Sequence, residues 1–292
     1  MTARARPRRS VLFMPGSNAR ALDKARSLPA DALIFDLEDA VAPGEKELAR
    51  EQVAETLRQG GYGQRELIVR INGLMTPWGE ADVKRLAASG ADALLVPKVE
   101  SKQMVDGIEG RMLIAGAAEE TAIWCMIETP KGVLRAEEIA SASPRLGALV
   151  MGTSDLAKDL QCLHTPTREP FMASLSWCLL AARAYGLAIL DGVHLNLADD
   201  AGFAAACRQG REFGFDGKTL IHPKTIAAAN AAYAPDVSEL DWSRRVIQAH
   251  DAAERQGQGV VLLDGQLIEN LHVEEARRIV GLADMIAALE GG

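Results

Sequence analysis

Short apolar runs recur along the chain at 10–16, 31–39, 66–72, 91–99, 122–129, 146–156, 187–194 and 215–223. Most are apolar on nearly every residue, the pattern of strands covered on both faces in a parallel sheet. Between them lie stretches such as ARALDKARSL, EKELAREQVAETLRQ and GEADVKRLAASG. Their Ala, Glu, Arg and Leu favour helix, and Gly60, Gly90 and Gly186 stand near helix ends, where left-handed caps are wanted. Eight strands with crossover helices predict an α/β fold. A closed (β/α)₈ TIM barrel over residues 1–230 is favoured over an open doubly wound sheet, because of the count and because polar residues gather at the strand C-termini. Residues 231–292 are too few for a second large domain and predict a C-terminal helical extension, or lid. ERQGQG at 254–259 is the one linker-like patch.

Composition narrows the class. The 292 residues are 48% apolar and 25% charged, as in ordinary globular chains. A net charge of −8 argues against nucleic acid, which needs a basic face. Cys125, Cys162, Cys178 and Cys207 form no Cys-x-x-Cys pair. Zinc and disulfides are therefore not expected, and a reducing, cytoplasmic setting is. No run of about 18 apolar residues predicts a membrane span. The basic start, including Arg8 and Arg9, is followed by an apolar run that stops at Pro15, too short for a signal-peptide core. A frayed basic N-terminus is expected.

The polar strand ends carry the candidate chemistry: Pro15 to Asn18, then Asp36, Glu38 and Asp39, Arg70 and Asn72, Lys98, Glu128, Asp155, Asp191 and His222. In a barrel these ends share one rim. Glu128 and Asp155 each close an apolar strand, where a charge needs a partner. Two carboxylates completed by water and substrate are how magnesium is usually held; pairing with a neighbouring Arg or Lys is the alternative. Arg70 suits a substrate carboxylate, or it neutralises Asp36 and Glu38. Asp36, Glu38 and Lys98 read as support around the metal. Lys98 as a Schiff-base nucleophile and His222 as an acid or base are weaker readings, and a lone histidine before proline is at least as often structural. GSNAR, with Arg20 and Lys24 nearby, offers N–H groups at a helix start, a place that suits phosphate.

FDLEDAV, IVRIN, ADALLVPKVE, MIETPKGV, MGTSDLAKDL and FDGKTLIHPKTI, in this order and spacing, resemble the citrate lyase β-subunit-like family of the HpcH/HpaI aldolase superfamily, which includes malyl-CoA and citramalyl-CoA lyases. The resemblance spans essentially the whole chain. It implies a TIM barrel that binds Mg²⁺ (Mn²⁺ possible) and a CoA thioester of a 3-hydroxy acid. The thioester is cleaved to acetyl-CoA and a 2-oxo acid, pyruvate or glyoxylate, or formed from them. It places the metal on Glu128 and Asp155 and the substrate on Arg70. The backbone N–H groups of Gly152, Thr153, Ser154, Asp155 and Leu156 would lie beside the oxo acid. CoA would run along Phe13, Pro15, Gly16, Ser17 and Asn18, with Lys24 beyond.

Condensation and cleavage also need an acid/base over the thioester's α-carbon, a role for which Glu128, Asp155 and Arg70 are not free. The resemblance assigns it to Asp264, in LLDGQLIENLHVEEA, on a lid covering a neighbouring subunit. A homo-oligomer, trimer or hexamer, is expected. The CoA-lyase branch more often has Lys-Met where this chain has Gln266-Leu267, which bears on CoA contacts. Shorter citrate-lyase-type subunits tend to lack the segment, so its presence is expected to favour a free-standing CoA enzyme. Two other outcomes stay open: thioester hydrolysis at the same site, and the β subunit of a citrate lyase complex acting on a carrier-protein thioester.

Overall fold

The computed structural model describes residues 6–255 and 260–291. They divide into two compact units, one of residues 8–233 and one of residues 6–7 with the described residues from 234 to 291. In the first, β1 (Ser10–Pro15), β2 (Ala32–Asp36), β3 (Glu66–Arg70), β4 (Ala93–Val96), β5 (Ala122–Ile127), β6 (Leu146–Met151), β7 (Ala188–Asp191) and β8 (Gly217–Leu220) form a closed barrel. All eight expected strands are present, each parallel to its neighbours, and β1 closes on β8 with Val11 opposite Thr219. No described helix is long and apolar enough to cross a membrane.

Strand parity fixes what faces inward. Val11, Ala32, Ile34, Ile68, Leu95, Trp124, Met126, Val150 and Leu190 fill the barrel, with Phe13 packed against them. The alternate positions, such as Leu33, Val69, Leu94, Cys125, Leu149 and Ile189, pack outward among the helices. Continuing the inward parity brings Asp36, Arg70 and Glu128 to the C-terminal mouth. Register matches Asp36 to Arg70 across β2 and β3.

The N-terminus corrects an expectation. Arg8 and Arg9 are buried, not frayed. Arg8 grips Glu66 through Nε (2.6 Å) and Nη2 (2.8 Å) and lies 5.3 Å above the Trp124 ring. Arg9 grips Asp31 through Nε (2.9 Å) and Nη2 (2.8 Å). Both acids stand where strands begin, so these forks tie down the barrel end opposite the mouth. An apolar-run criterion cannot detect paired arginines.

The second unit is not wholly helical. Helices Val237–Glu254 and Asn270–Gly291 flank a hairpin of β9 (Val261–Leu263) and β10 (Gln266–Ile268). Asp236 starts the first helix with a reciprocal capping box to Glu239. The unit's core is Val246, Ile268, Val273 and Ala276, with Trp242 and Val261 against it. Asp264 and Gly265 are the two hairpin residues, at φ 50° and 80°. Both are left-handed, which is why Asp-Gly suits a tight two-residue turn. The expected helix therefore begins only at Asn270. Of the linker patch, Gln256 to Gly259 lie outside the described residues, and Glu254 ends a helix.

Candidate active site

Asp36 ends β2 almost without exposure, and its charge is met on two sides. The backbone N–H groups of Glu38 (2.9 Å) and Ala40 (3.0 Å) donate to it. Arg70 donates through Nε and Nη2, both at 2.6 Å. Arg70 Nη1 lies 2.9 Å from Glu38 Oε2, and the guanidinium sits 4.8 Å above the Phe13 ring. Three restraints thus fix the plane of Arg70. A guanidinium has five N–H groups, so pairing with Asp36 does not exhaust it. Both roles read for Arg70, neutralising Asp36 and Glu38 and facing a ligand, are geometrically open.

Glu128 follows β5 and is 2% exposed. Burial pushes its carboxyl up to about 7, against the opposing pull of the Lys98 charge and N–H. Lys98 N–H donates to Oε1 at 2.8 Å. Gly152 is what lets Glu128 fit: a Cβ there would lie 2.4 Å from Glu128 Cβ and 2.6 Å from Oε2. Asp155 stands in the first turn of helix Thr153–Leu160. Its Oδ2 is 2.9 Å from Lys98 Nζ, which also lies 3.2 Å from Glu38 Oε1. Burial opposes the charge on Lys98, but Asp155, Glu128 and Glu38 outweigh it and raise its pKa. An ammonium surrounded by acids is poorly suited to Schiff-base chemistry, which needs the neutral amine. Glu38 is itself raised, by burial against the pull of Arg70.

Asp36, Arg70, Glu128 and Asp155 line a cavity of about 330 Å³ at the mouth. Phe13, Met126, Met151, Val193, Leu195 and Ile221 give it apolar walls, while Asp36, Arg70, Glu128 and Asp155 give it charge. Thr153, Ser154 and Asp155 also line it, and first-turn N–H groups have no partner within their own helix. The two ends of the expected N–H set are committed elsewhere. Gly152 donates to Ile127 O (3.0 Å) and Leu156 to Gly152 O (3.1 Å).

Other expected residues part company with the mouth. Asp191 is fully buried and faces the helices, bonded to Lys218 Nζ (2.7 Å) and Arg168 Nη1 (2.9 Å). It anchors structure, because its parity is that of the outward Ile189. Asn72 turns to Asp82 Oδ2 (2.7 Å). His222 caps a turn, its Nδ1 accepting from Lys224 N–H at 3.1 Å. Of the residues expected along CoA, only Phe13 lines the cavity. Gly16 N–H donates to Asp36 O (2.8 Å), and Asn18 caps helix Ala19–Ala25 through Ala21 N–H (3.1 Å). Lys24 is exposed in that helix's last turn.

In the second unit, Asp264 projects from the hairpin tip, exposed and paired with Arg245. Arg245 in turn lies 5.6 Å above the Trp242 ring. Sequence reasoning missed the Phe13 support under Arg70 and the turn at Lys98. The first was visible only as an aromatic of inward parity. The second is a left-handed lysine (φ 51°), which no residue type announces.

Comparison with known proteins adds relatives. The HpcH/HpaI aldolase/citrate lyase family model matches residues 9–223. The chain is 49% identical over 288 residues to a (3S)-malyl-CoA thioesterase of Cereibacter sphaeroides, covering 99% of each. It is 38% identical to citrate lyase subunit beta of Escherichia coli, covering 96% of this chain and 94% of that one. It resembles the crystal structure of Mycobacterium tuberculosis CitE in complex with magnesium, acetoacetate and coenzyme A. There the TM-score is 0.75 at 29% identity, covering 97% of this chain and 99% of that one. The match to the citrate lyase subunit runs along nearly the whole chain, so the C-terminal segment does not separate the two kinds of relative as expected.

Proposed function

This chain belongs to the HpcH/HpaI aldolase/citrate lyase family, and on that premise we propose that it is a magnesium-dependent enzyme of a malyl-CoA-type thioester, releasing malate and CoA by hydrolysis. Support for hydrolysis is the 49% identity, end to end, with a (3S)-malyl-CoA thioesterase. The observation that carries the metal-dependent part is Glu128, buried on the inward face and pushed up to about 7. Such a carboxylate is built for a cation close by. The donors fit magnesium: hard oxygens of Glu128 and Asp155, no histidine or thiol, and room for water and substrate. Lys98 Nζ, on Asp155 and Glu38, marks where positive charge is wanted. Manganese suits the same oxygens.

When bound, magnesium would polarise the substrate's carboxylate and adjacent hydroxyl oxygen and stabilise negative charge there. Arg70 would grip the carboxylate, held in plane by Asp36 and Phe13, and the N–H groups of Thr153, Ser154 and Asp155 would fix its other oxygen. Asp264 would take a proton from water as the water oxygen attacks the thioester carbonyl. The C–S bond then breaks, the acid is released, and the CoA thiolate takes up a proton. We assign Asp264 to a neighbouring subunit of a homo-oligomer, as the resemblance implies.

A second reading keeps the site and changes the bond. The substrate hydroxyl loses its proton and the C2–C3 bond breaks, giving an oxo acid and an acetyl-CoA enolate that Asp264 protonates. The resemblance to lyases, including the 38% identity with a citrate lyase β subunit, favours it. The same relative keeps a carrier-protein thioester as a possible substrate class. Incubation with (3S)-malyl-CoA and Mg²⁺ separates the outcomes. Malate and free CoA without glyoxylate support hydrolysis, whereas glyoxylate with acetyl-CoA overturns it for cleavage. An inert CoA thioester with turnover of the carrier-protein form supports the citrate lyase reading.

A further inference from the structure

Lys98 is placed by its backbone as well as its side chain. Its φ of 51° is left-handed, uncommon for a residue other than glycine. That turn, just after β4, brings its N–H to 2.8 Å from Glu128 Oε1. The side chain then reaches Asp155 Oδ2 (2.9 Å) and Glu38 Oε1 (3.2 Å). One residue thus touches both carboxylates assigned to the metal, and its ammonium occupies one of their oxygens. The Lys98 side chain is 46% exposed and has a way into water. Arg70, also at the mouth, is 7% exposed and locked to Asp36.

We infer that Lys98 is an internal counter-ion that exchanges with the metal. Its ammonium holds Asp155 and Glu38 together in the metal-free protein and leaves Asp155 Oδ2 when a divalent cation arrives. Its backbone N–H keeps Glu128 oriented in both states. The inference rests on Glu128 and Asp155 being the metal ligands. Glu38, Glu128 and Asp155 around one mouth would repel one another without a cation. A tethered ammonium answers that repulsion at no loss of binding entropy, and a doubly charged ion answers it more strongly. The cost is affinity, since each binding event must displace Lys98. A neighbouring unit charge changes a carboxylate's proton affinity by about ten- to thousandfold, and metal affinity should respond on a similar scale.

The test is a titration of metal-free full-length protein with Mn²⁺, reading free ion by electron paramagnetic resonance, on wild type, Lys98→Gln and Lys98→Gly. Gln keeps most of the side chain's length without charge, whereas Gly accepts the left-handed backbone and removes the side chain. Both variants should bind Mn²⁺ at least about tenfold more tightly. Both should melt below wild type without metal, with the gap closing at saturating Mn²⁺. Equal or weaker binding in both variants, with wild-type binding intact, overturns the exchange. Wild-type protein that binds no Mn²⁺, or binding untouched by Glu128→Gln and Asp155→Asn, overturns instead the ligand assignment beneath it.

Discussion

Replacing Glu128 by Gln in the metal-free protein should raise its stability at pH 8, although it removes a residue we assign to the metal. Glu128 is 2% exposed and its carboxyl sits at about 7 rather than the ordinary 4.5, chiefly through burial. The difference of about 2.5 pH units, at about 1.4 kcal/mol each, is about 3 kcal/mol borne by the ionised form. The sign follows from the raised value. Wild type bears no such cost below about pH 4.5, bears it increasingly as pH rises, and bears all of it above about 7. The amide keeps an oxygen for the Lys98 N–H and carries no charge to desolvate. Urea unfolding in EDTA, from pH 5 to 8, should show an advantage of the Glu128→Gln variant that starts small and approaches about 3 kcal/mol. Added Mg²⁺ should reverse the order, because only the wild type gains from the ion. A variant less stable than wild type at pH 8, or a difference that ignores pH, would refute the burial argument.

Further perturbations test the rest of the mouth. Gly152→Ala forces a Cβ to within 2.6 Å of Glu128 Oε2; it should cost about 1–3 kcal/mol by thermal or urea unfolding and weaken Mn²⁺ binding. Arg70→Lys loses the two-point grip on Asp36 and the Phe13 stacking; it should cost on the order of 3 kcal/mol in stability and raise KM for the thioester more than tenfold. Asp264→Asn should leave the melting temperature nearly unchanged, since the side chain is exposed, while turnover falls by about 10² or more. Subunits carrying Asp264→Asn and Glu128→Gln, each inactive alone, should regain partial activity when co-assembled. No recovery would take Asp264 out of a neighbour's site.

The barrel was legible because a parallel strand buried on both faces must be almost wholly apolar. Each residue that breaks the run near its C-terminal end then stands out. Glu128, Arg70 and Asp36 were found that way; Asp155, expected to close the sixth strand, stands beyond it in the first turn of the next helix, and the cavity gathers all four. The same reasoning misplaced Asp191, because a polar strand end shows its position along the strand but not its face. Parity shows the face: Asp191 shares that of Ile189 and meets Lys218, whereas Glu128 shares that of Met126. Arg8 and Arg9 were hidden for a related reason, since their partners Glu66 and Asp31 are 58 and 22 residues away. The hairpin was missed because β9 and β10 are three residues each. Asp-Gly was the signal that could have found it.

The central claim is that Glu128 and Asp155 hold a divalent cation without which a malyl-CoA-type thioester is not turned over. The direct measurement follows thiol release from (3S)-malyl-CoA by EDTA-stripped protein, before and after Mg²⁺ is restored in excess. The account predicts no release in EDTA, recovery with Mg²⁺ in wild type, and none in Glu128→Gln or Asp155→Asn. Release that persists in EDTA, or full recovery in either variant, would contradict it.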